Sequence, residues 1–536
     1  MITIRVTEAH LKLDAHDADA AAQPHPTRRR QSINELVRPI VDPQNFGFIA
    51  LLVAYVLWFV HQAFAIYNAY GSPPFDMAIF DQGLWLTSHF QTPFVTVIGR
   101  NLFGDHTSFI LGLIVPIYRL FPEPQGILVV ETMLLASAAI PVYVLARKLL
   151  KSAAMATALA AVLLFNPILQ RGNLDQFHPE AFQVLFIAVA IYAAHERKYR
   201  VLLVMVVLSL LVKEDAGALI VPLGIWVSIR RDRRVGMTVV VLGIIWSIAA
   251  NFFIIPALLG GATIYTRRIP FGGATELLGV IFHRPTVVIK YFLSGGRPFY
   301  LWQLGAMTAF IALLAPDIVA IGALVIGENL LSTDLLMHNI IFQYTLPLSA
   351  VLAMAVVIAI ARQKRRRDQW LLTGEVLAAT LLTCAIWGAA PFSQLTTASP
   401  WVTPSGVRAL NHLEQSLPPN AVVSAWYPIV AHVDHRTQVY MWPNPFAQYY
   451  WGFQNHSGRR LPVARNVQYL LLPIKLSSDD FPGLFMKLKP DFTLIHHSGG
   501  YGIYERKAIP TGVSRRFRDV ALSRVTDTPV KMSSAT

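Results

Sequence analysis

Residues 46–67 read FGFIALLVAYVLWFVHQAFAIY, a run without Asp, Glu, Lys or Arg. A helix needs about 20 apolar residues to cross a bilayer, so this run predicts a membrane-spanning helix. The composition of the 536-residue chain agrees, because 54% of its residues are hydrophobic and 14% are charged. Soluble proteins carry about 25% charged residues. The sequence therefore predicts a mainly α fold, a polytopic transmembrane helical bundle in a lipid bilayer.

Other apolar runs predict the remaining spans. They lie at about residues 126–148, 152–170, 181–196, 200–212, 216–229, 235–257, 299–315, 318–331, 340–361 and 370–390. The run 108–121 is shorter and contains Pro116, so it spans the membrane, re-enters it or lies in its interface. We expect about 11–13 spans in all.

Basic residues give the orientation. The net charge is +14, but Lys and Arg form short clusters between apolar runs, which is typical of cytoplasmic loops. We therefore expect no nucleic-acid partner. The clusters at 147–151, 195–200, 230–234 and 362–367 all become cytoplasmic if the N-terminus is inside and the run 108–121 does not fully cross, which places the C-terminus outside. If 108–121 crosses, an extra crossing or the loss of a span elsewhere is needed to restore this pattern.

The same pattern predicts the domains. Residues 1–45 are expected to be a disordered cytoplasmic tail, in which Arg28, Arg29 and Arg30 hold the start of the first helix inside. The predicted parts are a transmembrane domain at 46–390, with a first external loop at 68–107 and a basic external loop at 258–298, then a soluble external α/β domain at 391–510 and a flexible tail at 511–536. The single Cys384 lies in an apolar run, so it indicates neither a disulfide framework nor a cysteine metal site.

Acids and histidines then gather on one face. With this topology the external segments include FDMAIFDQ (75–82), GDH (104–106), DQFHPE (175–180), KED (213–215) and GENLLSTDLLMH (327–338). Ionisable residues at membrane depth are costly and usually mark a functional cavity, so their clustering predicts one external site. The basic loop indicates an anionic ligand such as a phosphate, or contact with lipid headgroups.

Several familiar catalytic motifs are missing from the sequence. It has no Walker A segment, no dinucleotide-binding glycine pattern after a strand, no HExxH helix and no GxSxG elbow. ATP and NAD are therefore not indicated. An enzyme hypothesis depends on the carboxylates, histidines and basic residues of the external face.

An ordered set of motifs resembles the bacterial membrane family called domain of unknown function 2079. The resemblance covers about residues 45–510. Its motifs include YNAYGSPPFDMAIFDQGLWLTSHF (67–90), GDHTSF (104–109), NLDQFHPEAF (173–182), LVKEDAG (211–217) and HNIIFQYTLPLSA (338–350). That family in turn is similar to the GT-C class of integral membrane glycosyltransferases.

The resemblance implies a function. GT-C enzymes carry an acidic motif in the first external loop, use a polyprenyl-phosphate sugar donor and act on the outer face. Here the acidic motif corresponds to Asp76 and Asp81. The next helical segment often begins with His and Pro, and GDHTSF lacks the Pro. The implied protein is a glycosyltransferase of the bacterial cell (inner) membrane that glycosylates an envelope glycan, lipid or protein acceptor.

Asp76 is the predicted base, with Asp81 as second choice or orienting partner. If 75–85 is helical, the two acids lie about 140° apart around the axis, so they do not share a face. One then faces the cavity, and the other caps a helix or pairs with a cation. For Asp76 the alternative role is a helix N-cap after SPPF.

Other candidates would bind substrate. Asp105 and His106 bind the acceptor or a divalent metal, or cap a helix. The side chains of Asp175, His178 and Glu180 are of types that bind metal ions, and these residues are expected to bind a metal or to contact the substrate. No cofactor is certain, and a divalent metal is compatible with these residues. Lys213 and Glu214 are further substrate-binding candidates, with Lys213 as a phosphate contact, unless the charges of Lys213, Glu214 and Asp215 pair with one another. Arg267 and Arg268 are the candidates for the donor phosphate. His338 and Tyr344 are cavity residues or interfacial anchors.

Two other classes of protein remain open. One is a transporter or flippase of a lipid-linked substrate, although no internal repeat is evident and the ionisable residues gather at one face. The other is a non-enzymatic envelope assembly protein, in which the external domain binds a partner.

Overall fold

The computed structural model describes residues 43–71, 74–260, 268–394, 402–450 and 457–507. The predicted tails at 1–45 and 511–536, apart from residues 43–45, and the candidate Arg267 lie outside these ranges. The first thirteen α-helices are α1 (Phe46–Asn68), α2 (Pro74–Ser88), α3 (Leu102–Asp105), α4 (Val115–Leu120), α5 (Pro124–Ser137), α6 (Ala139–Leu150), α7 (Ala153–Leu164), α8 (Pro167–Leu174), α9 (Glu180–His195), α10 (Tyr199–Leu210), α11 (Gly217–Arg230), α12 (Arg233–Ala249) and α13 (Ile255–Leu259).

The later helices are shorter on average. They are α14 (Ala274–His283), α15 (Pro285–Phe292), α16 (Arg297–Ala306), α17 (Pro316–Val319), α18 (Ala323–Leu331), α19 (Leu348–Ala361), α20 (Arg366–Trp387), α21 (Pro404–Gln415) and α22 (Pro482–Leu488). The chain is therefore mainly α-helical, which confirms the predicted fold class.

Five helical segments of the described residues are long and apolar enough to cross a membrane. They are Pro43–Asn68, Pro124–Leu150, Arg233–Leu259, Gln343–Ala361 and Arg366–Trp387. The pair α7 and α8 makes a sixth if it is taken as one span bent by 48°. Three apolar helices, α9, α10 and α11, are shorter. The larger number expected from the sequence counts such short segments, which neighbouring helices shield.

The spans differ in what surrounds them. In α19 nearly every side chain is buried inside the protein, whereas α1, α12 and α20 keep most of their surface on the outside. Because α19 is hydrophobic all round and enclosed, it forms the centre of the bundle. The three others present apolar surface to the lipid.

Glycines allow α11 and α12 to approach each other closely. A Cβ added at Gly236 would lie 2.2 Å from the backbone nitrogen of Ser228, and one at Gly217 would lie 2.0 Å from the hydroxyl of Ser247. Small residues at a contact let helix backbones come together, which is a common way of packing helices in membranes.

Two predicted spans are divided in the structure. The run 299–315 forms α16, then a turn with left-handed Ala309 and Phe310, then a 3-10 helix at Ile311–Leu314. The run 318–331 forms α17, a 3-10 helix at Ala320–Gly322 and α18. Neither segment is a single helix long enough to cross a membrane, so the prediction of two continuous spans here is wrong. Apolar content and periodicity alone do not reveal where a helix changes direction.

The C-terminal sheet region, residues 402–507, contains α21, α22 and a five-stranded sheet. The chain's strands are β1 (Phe94–Val95), β2 (Arg100–Asn101), β3 (Val423–Ala425), β4 (Val439–Met441), β5 (Tyr469–Pro473), β6 (Phe492–Ser498) and β7 (Tyr501–Arg506). The order in the sheet is β4-β3-β5-β7-β6, in which β3 pairs parallel with β4 and β5, and β7 pairs antiparallel with β5 and β6. This sheet agrees with the predicted α/β class of the region.

The C-terminal sheet region packs on the end of α1 and on the residues that follow it. The Tyr67 hydroxyl donates to the Ala431 carbonyl over 3.0 Å, and the ring of His432 stacks on Tyr67 and on Tyr70. The 3-10 helix at Tyr427–His432 also packs on α2. The helix that carries both acids of the first loop is therefore in contact with residues from the far end of the chain.

Candidate functional site

One cavity of about 480 Å³ gathers most of the predicted site residues. Its polar lining comes from the first-loop helices, the segment before α9, the segment after α10 and the segments at 268 and 334–344. The charged, histidine and tyrosine side chains in its wall are Asp76, Arg100, Asp105, His106, Asp175, His178, Glu180, Lys213, Arg268, Asp334, Tyr344 and Tyr427. Segments far apart in the sequence thus form a single polar site.

Asp76 meets His178 in this cavity. The Nε2 atom of His178 lies 3.5 Å from Oδ2 of Asp76, and His178 is buried while the Asp76 side chain is 38% exposed. The Nδ1 atom of His178 donates to the carbonyl of Gln176 over 3.0 Å. Burial lowers the pKa of His178, but the contact with Asp76 and the nearby carboxylates outweigh it and raise the pKa to about 10. The pair is therefore an imidazolium beside an accessible carboxylate.

Asp175 lies in the same wall. Burial raises the pKa of this carboxyl to about 7, the charge of His178 opposes the rise and the charge of Asp76 adds to it. Because this value is close to neutral pH, Asp175 can hold or release a proton there.

Lys213 supplies a buried positive charge. Its Nζ atom donates to Oε1 of Glu180 over 2.8 Å, lies 3.5 Å from Oδ2 of Asp215 and stands 5.4 Å from the ring centre of Tyr344. Lys213 thus contacts its neighbour Asp215, as the self-pairing alternative supposed, and also a carboxylate on another helix.

Arg268 reaches Tyr344 from the other side. Its guanidinium donates to the Tyr344 hydroxyl over 3.2 Å and stands 5.3 Å from the ring centre. It also lies 3.4 Å from a carboxylate oxygen of Asp334. The charged groups of Lys213 and Arg268 therefore both lie close to the ring of Tyr344, and both side chains line the cavity.

Asp105 and His106 are held by partners of opposite charge. Two nitrogens of Arg100 contact Oδ1 of Asp105 at 2.8 and 2.7 Å. The Nδ1 atom of His106 lies 2.8 Å from Oε1 of Glu214, whose other oxygen accepts from the Thr107 backbone N–H. Burial lowers the pKa of His106, but the charge and hydrogen bond of Glu214 together with the charge of Asp105 outweigh it and raise the pKa. Glu214 thus holds the cavity residue His106 in position.

Asp81 and His338 lie outside the cavity lining. Asp81 is fully buried and accepts hydrogen bonds from the Tyr118 hydroxyl and from Nε2 of His435, at 2.9 Å for the histidine. His338 contacts the carbonyl of Gly295 over 2.9 Å. Asp76 and Asp81 share α2 but point to different surroundings, in keeping with the angle that a helical spacing predicts.

Sequence reasoning missed Arg100, Asp334 and Tyr427. Arg100 stands five residues before Asp105 and could have been paired with it by its charge. Asp334 belongs to a segment that the sequence already assigned to the external face. Tyr427 comes from the C-terminal sheet region, and no local pattern indicates that it reaches the cavity.

Metal-ligand side chains group differently from the prediction. Within the described part of the chain, only Asp81, Asp434 and His435 form a set in which three ligand atoms lie within 4.8 Å of one another. Asp175, His178 and Glu180 do not form such a set, since His178 faces Asp76 and Glu180 faces Lys213. The cavity itself is suited to proton transfer and to binding an anion.

The chain matches a protein-family model and is similar to a solved structure. A family model described as "Predicted membrane protein (DUF2079)" matches residues 71–515. No curated protein matches the chain. Among solved structures, ArnT from Cupriavidus metallidurans bound to undecaprenyl phosphate is similar at 10% identity with a TM-score of 0.47, over 87% of this chain and 99% of that chain.

Proposed function

We propose that this multi-pass membrane protein, which belongs to the family of predicted membrane proteins DUF2079, transfers a sugar from a polyprenyl-phosphate donor to an envelope acceptor at the outer face. The observation that carries the proposal is one cavity that holds an accessible carboxylate, Asp76, together with two cations, Lys213 and Arg268. Glycosyl transfer from a lipid phosphate requires both kinds of group, a base for the acceptor and positive charge for the phosphate.

Asp76 is the group that receives the acceptor proton. Its carboxylate is the more exposed partner of the pair with His178, so an acceptor hydroxyl can approach it. The buried imidazolium holds the carboxylate in position through its charge. Asp175, with a pKa of about 7, lies beside the pair and exchanges protons with solvent.

Arg268 and Lys213 contact the donor phosphate. Arginine binds phosphate oxygens through two parallel N–H groups, and a lysine adds a point charge. Both stand against Tyr344, which fixes their positions. Phe75, Leu336 and Phe342 line the same cavity and offer apolar surface to the first isoprene units of the donor.

The reaction is a single displacement. The acceptor oxygen attacks the anomeric carbon of the sugar while its proton passes to Asp76. The bond between that carbon and the phosphate oxygen breaks, and its electron pair leaves on the phosphate, which Arg268 and Lys213 neutralise. The configuration at the anomeric carbon therefore inverts.

The test is turnover by the purified full-length protein in detergent micelles. The donors are undecaprenyl-phosphate sugars with a panel of pentoses and hexoses, and the measured product is undecaprenyl phosphate, which forms with an acceptor or with water. We expect Asp76→Asn to lower the rate by about 10²–10⁴-fold, the usual contribution of a general base. The matched control is Asp491→Asn, an exposed acid in the C-terminal sheet region.

The result also separates the rival classes. A transporter or flippase binds these donors and moves them across vesicle membranes without releasing undecaprenyl phosphate. An assembly protein does neither. If the wild-type protein releases no product from any donor, or if Asp76→Asn releases as much as the control, the proposed transfer reaction is wrong.

A further inference from the structure

We propose that Asp81, Asp434 and His435 form a divalent-cation site that fastens α2 to the C-terminal sheet region. The three side chains each offer a ligand atom, and these atoms lie within 4.8 Å of one another. Asp81 comes from the first loop, while Asp434 and His435 follow the 3-10 helix at Tyr427–His432. The site is separate from the cavity of Asp76 and does not depend on the transfer reaction.

An unsatisfied buried atom points to a ligand. Asp81 is 0% exposed and Asp434 is 1% exposed. The Oδ2 atom of Asp434 is buried and has no hydrogen-bond partner among the described residues. Buried carboxylates are normally paired with a cation or bind a metal, because an unpaired buried charge is very costly.

Arg436, two residues further along the chain, donates its side-chain hydrogen bonds to other groups. Its NH1 atom donates to the backbone carbonyls of Pro418 and Ala421, at 3.4 and 3.2 Å. Within the described residues the ion pair of this cluster joins His435 to Asp81, at 2.9 Å. In the part of the chain that the structure describes, Asp434 therefore forms no ion pair, and a divalent ion would neutralise both carboxylates together.

The ligand set indicates the class of ion. Two carboxylate oxygens and one imidazole nitrogen suit Zn²⁺ and Mn²⁺, whereas Ca²⁺ prefers six to eight oxygens. Three protein ligands leave coordination positions of the ion open to water. The Tyr118 hydroxyl lies 2.9 Å from Nε2 of His435 and is therefore close to these positions. A second cavity of about 310 Å³, lined by Asp434 and His435, gives an ion access from outside.

The site would act as a positioning device. Asp81 and Asp76 lie on the same helix, so a metal that binds Asp81 to Asp434 and His435 fixes the orientation of α2. The 3-10 helix at Tyr427–His432 lies just before Asp434 and His435. Its first residue, Tyr427, lines the cavity of Asp76.

The experiment measures metal content and thermal stability in the full-length protein in detergent. The protein is treated with EDTA, desalted, incubated with Mn²⁺ or Zn²⁺ and desalted again. The variants are Asp434→Asn and His435→Gln. The control is His412→Ala, an exposed histidine on α21 that reports adventitious binding at surface imidazoles.

We expect the wild type and the control to retain about one equivalent of Mn²⁺ or Zn²⁺ and to melt at a higher temperature with the ion than after EDTA. Both ligand variants should bind the ion at least about 10-fold more weakly. The His435 side chain is 32% exposed, so its variant should fold even if Asp434→Asn does not.

Three results would overturn the site. In the first, the stripped wild-type protein takes up neither ion. In the second, His435→Gln retains as much metal as the wild type. A third outcome, in which EDTA has no effect and Asp434→Asn raises the melting temperature, would also reject the metal and assign a shared proton to the two carboxylates.

Discussion

The Nζ atom of Lys213 donates to Oε1 of Glu180 over 2.8 Å, and both side chains are more than nine-tenths buried. One residue follows α10 and the other begins α9, so the pair joins two helices at the wall of the cavity. A buried ion pair contributes little net stability by itself, but loss of one partner leaves the other charge uncompensated.

Glu180→Gln should therefore destabilise the protein by about 3–5 kcal/mol, the usual cost of breaking a buried pair. The double variant Glu180→Gln/Lys213→Met should lose less than the sum of the two single variants, because it leaves no unpaired charge. Thermal melts of the wild type, the two single variants and the double variant in detergent give the coupling between the two residues as a double-mutant cycle. The exposed pair of Lys148 and Glu196 is the control, and Lys148→Met should melt close to the wild type. Additive losses at 180 and 213 would contradict a coupled pair.

Asp175 should make stability depend on pH. Burial raises the pKa of this carboxyl from 3.8 to about 7, so between these values the folded protein holds a proton that the unfolded chain has released. Its contribution is fully present below about pH 4 and is lost as the pH rises through 7.

The variant Asp175→Asn keeps a neutral side chain at every pH. We expect it to melt above the wild type at pH 8, with a gap that narrows as the pH falls from 7 to 5. Asp491→Asn, on the surface, should show no such divergence. A constant difference between Asp175→Asn and the wild type from pH 5 to pH 8 would show that Asp175 does not titrate in this range.

Arg268→Lys should weaken donor binding because lysine cannot bind two phosphate oxygens in parallel. We expect at least about a 10-fold rise in the dissociation constant for undecaprenyl phosphate, from the loss of one charge-assisted hydrogen bond of about 1.5–3 kcal/mol. Arg284→Lys is the matched control in the basic loop, since Arg284 is exposed and lies outside the cavity lining. Equal losses in both variants would favour contact of the whole loop with lipid headgroups.

Gly236→Ala should destabilise the contact of α11 with α12. The added Cβ would meet the Ser228 backbone nitrogen at 2.2 Å, and a backbone atom cannot turn aside. We expect a cost of about 1–3 kcal/mol, as for other overpacked contacts. Gly374→Ala in α20 meets nothing within 4 Å and, by improving helix propensity, should leave the melting temperature unchanged or slightly higher. Similar melting of both variants would contradict the close packing.

The sequence was sufficient to predict the long spans because a membrane demands length and apolarity of each one. The predicted run 46–67 is α1, and the run 235–257 lies within Arg233–Leu259. The angular separation of Asp76 from Asp81 also follows from helix geometry alone. By contrast, the turn at Ala309 and Phe310 depends on backbone conformations that apolar patterning does not encode.

The partners of the site residues required the structure. His178 and Asp76 belong to separate motifs, and their types did not specify which acid the histidine would face. The partners of Asp81 lie at 434 and 435, in a region that the sequence assigned to a different domain. Such pairings are set by tertiary packing, which leaves no periodic signal in either segment.

Tyr427 bears on how the protein is made. The ribosome adds this residue after all the helices of the bundle, so the cavity of Asp76 has an incomplete wall throughout membrane insertion. Its charged groups therefore remain open to solvent until the last part of the chain has folded against α2. Termination between Trp387, where the last long helix of the bundle ends, and residue 427 would thus leave the cavity without this part of its wall.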